Sequence, residues 1–166
     1  MMVLLGWLVH LITSLSAVLA LFGFYAVSQG NDVVVLMILV LTVIIDAVDG
    51  PLARLLKVKK TIPNFDGAML DNIVDFTSWV VLPAFLILKS NIFPNEWRTI
   101  FAIGIILSSC YQFCCADLKD ETSTFKRWPS AWSLVVICLF LWTPPLLVSL
   151  PAMIVLFVLS FIPISF

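Results

Sequence analysis

Apolar residues in this chain fall into six long runs, at 2–28, 33–54, 68–90, 98–116, 130–148 and 151–166, with polar residues gathered between them. Each run is close to the ~20 residues that a helix needs to cross ~30 Å of hydrocarbon. The separators are Ser28-Gln29-Gly30-Asn31-Asp32, Lys57 to Pro63, Asn91 to Arg98, Asp117 to Pro129, and breaks at Pro144-Pro145 and Pro151. No strand alternation, internal repeat or low-complexity tract interrupts the pattern. It predicts an all-α integral membrane protein, a bundle of six transmembrane helices in one polytopic domain over residues 1–166. Composition agrees, with 62% hydrophobic and 11% charged residues and a mean hydropathy of +1.14, far from a soluble domain. The first run has no basic leader and no small-residue cleavage site, so it is expected to stay as a helix. The last run ends at Phe166 without a polar tail, the pattern of a chain truncated at its C-terminus with helices to follow.

The charges orient the bundle. Arg54, Lys57, Lys59, Lys60, Lys119, Lys126 and Arg127 fall in loops on one side, with Lys89 and Arg98 on the other. The positive-inside rule therefore puts the N-terminus and the facing ends of the second and third runs in the cytosol. The net charge of -1, with basic residues in short patches beside apolar runs, leaves no footprint for nucleic acid. The expected surroundings are a lipid bilayer. Cys110, Cys114, Cys115 and Cys138 have neither CxxC nor zinc-site spacing and are expected to be small apolar fillers.

Four carboxylates, Asp46, Asp49, Asp71 and Asp75, sit inside or against these runs. An ionised Asp at a helix centre costs roughly 2.5–3.5 kcal/mol on insertion scales. Asp46 and Asp49 are i, i+3 neighbours, and Gly50 and Ala53 continue the stripe with almost no side chain. Asp71 and Asp75 are i, i+4 neighbours, with Gly67 one turn earlier as a point of close approach. Three and four residues rise only ~4.5 and ~6 Å, so two facing stripes can bring all four carboxylates within a few ångströms. Arg54 supplies one positive charge, whereas two divalent cations would neutralise all four acids. All-oxygen ligands select the hard ions Mg²⁺ or Mn²⁺ over zinc, and two such ions about 4 Å apart clamp an in-line displacement at phosphorus. Solvated loop acids and an Asp-lined path through a cation transporter are the competing readings. The helical spacing disfavours the first.

Together these residues spell DxxDGxxAR, a connector of twelve residues, then GxxxDxxxD. The pattern resembles the signature of the CDP-alcohol phosphotransferases, integral membrane enzymes built on six transmembrane helices. The connector is longer than in most of that family. With "DGPLARLLKV", "PNFDGAMLDNIVDF" and "WVVLPAFLI" it is similar to the bacterial branch that makes phosphatidylcholine. The resemblance implies transfer of the phosphatidyl group of CDP-diacylglycerol to the hydroxyl of choline, with release of CMP, at the cytosolic side of a bacterial inner membrane. It implies metal ligation by Asp46, Asp49 and Asp71, with Asp75 as both ligand and general base. It further implies nucleotide or phosphate contacts at Asp49, Gly50, Ala53 and Arg54, with Gly67 as the close approach between the helices. It also suggests a homodimer.

The acceptor is read from what surrounds the acids. An anionic alcohol would want basic residues in the pocket, yet Arg54 is the one basic residue within a run near the acids. A quaternary ammonium wants aromatic faces, at ~0.5–2 kcal/mol per good cation–π contact. Trp79, one α-helical turn beyond Asp75 on the same face, and Tyr111 are the favoured choline contacts, with Asp117 able to complete a cage. These residues do not separate choline from serine, and membrane-interface belts and core packing also place Trp and Tyr. His10 is expected to be a packed polar group, Asp66 a helix cap, and Lys57, Lys59 and Lys60 a topogenic patch that also attracts anionic lipid or the nucleotide diphosphate.

Overall fold

The computed structural model describes residues 2–114 and 130–162, and all regular structure among them is helical. The helices are α1 (Met2–Ser28), α2 (Asp32–Leu55), α3 (Val58–Thr61), α4 (Gly67–Asp75), α5 (Leu82–Lys89), α6 (Asn95–Cys114), α7 (Trp132–Trp142) and α8 (Leu146–Phe161). A π-helical turn, Phe76–Val81, joins α4 to α5, making one helix from Gly67 to Lys89. That helix, α1 and α2 are long and apolar enough to cross a membrane. The chain divides into two compact units, residues 1–78 and 79–166.

In the first unit α1 lies along α2 and also touches α3 and α4. Its buried positions are Gly6, Val9, His10, Thr13, Ser16, Ala20, Gly23, Ala26 and Val27. They recur every three or four residues and are mostly small. Membrane helices associate through such stripes, because lipid chains offer no hydrophobic drive and close backbone approach must supply the contact. The opposite stripe, Leu4, Leu11, Leu15, Leu21, Phe22 and Tyr25, is exposed, as expected of a face turned to hydrocarbon. Asn31 caps α2, its side chain accepting from Val34 N at 3.3 Å.

The connector after α2 is folded onto the bundle. Lys57 turns the chain in the left-handed region (φ 51), and α3 then buries Val58 and Ile62 against Val9, with Leu52, Ala53, Leu56 and Phe65 around them. This apolar patch holds the basic run in place. Asp66 caps α4 as expected, its side chain accepting from Met69 N at 3.0 Å.

The second unit is held by aromatic packing and buried hydroxyls. Phe101 meets Phe93 at 4.9 Å and Trp97 at 5.7 Å, and Phe157 of α8 lies 5.0 Å from Trp132. The Trp132 indole donates to Ser109 Oγ at 3.0 Å, and Gln112 Nε2 donates to Ser160 O at 3.3 Å. Gly104 lets α8 close in, since a Cβ there would meet Phe157 Cζ at 2.9 Å.

Two sequence expectations are revised. The expected last break at Pro151 lies inside α8, and the chain breaks at Thr143 (φ 38) before Pro144-Pro145. A residue preceding proline is driven out of the right-handed helix, and Pro145 then serves as the N-cap of α8. Consequently α7 and α8, with 11 and 16 residues, rise only about 16 and 24 Å, short of the ~30 Å span. Three of the cysteines expected as small apolar fillers, Cys110, Cys114 and Cys138, are exposed free thiols, and Cys115 lies outside the described residues.

Candidate active site

The carboxylates gather in the first unit. Asp46 and Asp49 come from the C-terminal half of α2 and Asp71 from α4. One carboxylate oxygen from each lies within 4.8 Å of the other two. Asp49 is buried and the other two half-buried. At that separation each charged pair repels by at least about 3 kcal/mol at an effective dielectric of ~20, which favours a bound cation. The donor set fits one: hard divalent ions take oxygen at about 2.0–2.6 Å, so a single ion can bridge oxygens spaced this way. Asp75, one turn after Asp71, is half-buried and not in that triplet.

Beside the triplet lies a cleft of about 790 Å³. Asp49, Asp66 and Asp71 form its acidic part, and Arg54, Lys57, Lys59 and Lys60 line it too. Gly50, Ala53, Gly67 and Ala68 keep its walls low. Such a cleft places metal-binding oxygens and basic side chains around one space, which suits a diphosphate. The sequence pattern had allowed Lys57, Lys59 and Lys60 this role, and the folded connector is what turns them to the cleft.

His10 and Gly67 change meaning in three dimensions. Gly67 was expected to ease the approach of the acidic helices to one another, yet its tight neighbour is α1. A Cβ on Gly67 would lie 2.6 Å from His10 Cε1. The His10 ring is buried between Phe65 (4.5 Å) and Trp7 (5.9 Å), and its Nε2 has no hydrogen-bond partner among the described residues.

Sequence reasoning missed Thr13. Its Oγ1 donates to Asp49 Oδ2 at 2.6 Å, between two buried side chains. A polar residue in the middle of an apolar helix normally faces the bundle interior, and that signal would have found it.

The expected choline contacts are Trp79, Tyr111 and Asp117. Trp79 and Tyr111 belong to the second unit, where Tyr111 is 43% exposed and stacks with Phe161 at 5.3 Å. Asp117 lies outside the described residues. The α-helical register from Asp75 to Trp79 does not hold, because Phe76–Val81 is π-helical, and its i→i+5 bonding widens the turn. The Trp79 indole N–H is buried with no hydrogen-bond partner among the described residues.

An α-helical scaffold with three helices long and apolar enough to cross a membrane, and three converging carboxylates that open on a cleft with four basic side chains, fit a membrane enzyme class that handles phosphate esters. The model of the CDP-alcohol phosphatidyltransferase family matches residues 7–162, and the chain belongs to that family. Phosphatidylcholine synthases of Legionella pneumophila and Borreliella burgdorferi are 37% and 36% identical to it over 162 residues each. These alignments cover 97% and 98% of this chain, and 64% and 69% of the relatives. The phosphatidylcholine synthase of Rhizobium johnstonii is 33% identical over 158 residues, 95% of this chain and 65% of its own. The chain thus spans about two thirds of the length of these curated relatives.

Proposed function

We propose that this chain carries out phosphatidylcholine synthesis, moving the phosphatidyl group of CDP-diacylglycerol onto the hydroxyl of choline with release of CMP. The observation that carries the reading is the convergence of Asp46, Asp49 and Asp71 within 4.8 Å beside a cleft lined by Arg54 and three lysines. The likeness to phosphatidylcholine synthases supports choline as the acceptor.

Asp46, Asp49 and Asp71, together with Asp75, would hold two divalent ions, Mg²⁺ or Mn²⁺, which supply charge neutralisation and polarisation at the diphosphate. The chain's own residues supply the rest. Arg54 and the lysines draw the diphosphate into the cleft and stabilise charge that develops on its oxygens. Gly50 and Ala53 leave room for the cytidine. Asp75 takes the proton of the acceptor hydroxyl at a carboxylate oxygen as that hydroxyl attacks the phosphorus bearing diacylglycerol. The new O–P bond forms in line with the breaking bond to the CMP oxygen, and CMP leaves. Trp79 and Tyr111, with Asp117, receive the quaternary ammonium. The same reading places the helices in a bacterial inner membrane, with the N-terminus and the site on the cytosolic side, and two copies as a homodimer.

The test is purified protein with CDP-diacylglycerol and Mn²⁺, given choline, serine, inositol or glycerol 3-phosphate in parallel. CMP and lipid product are expected with choline alone. Product with serine alone would replace the acceptor. Cation flux across vesicles without CMP from any acceptor would replace the enzyme with a transporter.

A further inference from the structure

One hydroxyl in the first unit behaves unlike its neighbours. Ser and Thr in apolar helices normally donate to a carbonyl of their own helix. Ser14 Oγ donates to His10 O at 2.7 Å, and Thr42 Oγ1 to Leu39 O at 2.9 Å. Thr13 has the same option, with Val9 O at 3.3 Å. A shorter path of 2.6 Å leads from its Oγ1 across to Asp49 Oδ2 on α2. A hydroxyl has one proton to donate, and a charged acceptor at the shorter distance takes it. Both side chains are more than nine-tenths buried, Thr13 being 7% and Asp49 5% exposed.

We propose that Thr13 is a positioning residue for the metal site: its hydroxyl sets the rotation of the Asp49 carboxylate and thereby the affinity for the divalent cation. The proposal rests on the metal reading above. A carboxylate turns in a broad, roughly two-fold well about its last torsion, so the backbone of α2 alone does not fix which way its oxygens face. Asp49 must present an oxygen to those of Asp46 and Asp71, all within 4.8 Å. A bond on Oδ2 from a second helix fixes the carboxylate plane and ties α1 to the site. Hydrogen-bond partners of metal ligands typically change metal affinity by about 10–100-fold when removed.

Direct Mn²⁺ binding to detergent-purified protein, read from the electron paramagnetic resonance signal of the free ion, separates this role from simple packing. Thr13→Val keeps the shape, loses the hydroxyl and is expected to weaken Mn²⁺ binding about 10–100-fold. Thr13→Ser restores the donor and is expected to restore the affinity. In transfer assays the Thr13→Val deficit should shrink as Mn²⁺ is raised, so that the apparent metal constant changes more than turnover. Unchanged Mn²⁺ affinity in Thr13→Val, or an equal loss in Thr13→Ser, would overturn the proposal and leave the metal reading standing. Absence of Mn²⁺ binding by the unsubstituted protein would sink the metal reading and the proposal with it.

Discussion

Gly67→Ala places a methyl group where the His10 ring already sits. The added Cβ would lie 2.6 Å from His10 Cε1 and 3.3 Å from Nδ1, inside the ~3.5–4.0 Å at which carbon atoms attract one another. A ring at the end of a side chain can often swing away, but His10 is enclosed by Phe65 at 4.5 Å and Trp7 at 5.9 Å and is 8% exposed. Overpacking of this kind costs about 1–3 kcal/mol. Alanine recovers at most ~1 kcal/mol through helix propensity, and less at Gly67, the first residue of α4. The net loss is about 1–2 kcal/mol, or a fall in Tm of roughly 2–8 °C for a chain of this size. Thermal unfolding in detergent measures it. The cause is isolated by adding His10→Ala, which alone removes packing but opens space for the new methyl. The double variant should be less destabilised than the sum of the singles by about 1–2 kcal/mol. Additive losses, or an unchanged Tm in Gly67→Ala, would refute the steric account.

Four further outcomes follow from the same contacts. Asp75→Asn should lower turnover by about 10²–10⁴-fold, the usual worth of a general base, while Mn²⁺ binding persists; near-normal turnover with metal bound would remove Asp75 from that role. Chelation with EDTA should abolish transfer, and Mn²⁺ or Mg²⁺ should restore it, since the ligands are all oxygen; full activity after exhaustive chelation would count against a metal site. Asp66→Ala removes the acceptor that holds Met69 N at 3.0 Å and should cost ~1 kcal/mol, seen as a lower Tm. Trp132→Phe deprives the buried Ser109 hydroxyl of its donor at 3.0 Å and should cost about 1–3 kcal/mol by the same measurement.

The sequence by itself determined the membrane class, the acid motif and the helices that carry it. Hydrocarbon accepts only chain whose backbone hydrogen bonds are closed internally, so long apolar runs name their own secondary structure. The spacings of Asp46 with Asp49 and of Asp71 with Asp75 reveal stripes because a helix repeats every 3.6 residues. The cap at Asp66 is equally local. Tertiary structure alone decided what faces those stripes. Nothing in the spacing says that α1 supplies Thr13 to Asp49, that the His10 ring occupies the space spared by Gly67, or that burial of Val58 and Ile62 turns a basic connector into a cleft wall. Nor could an α-helical wheel foresee the π-turn at Phe76–Val81 that alters the register of Trp79. Periodicity is a property of one helix and is written in its residues. Contact between helices depends on which small and polar positions of separate segments fit together, and only the packed chain decides that.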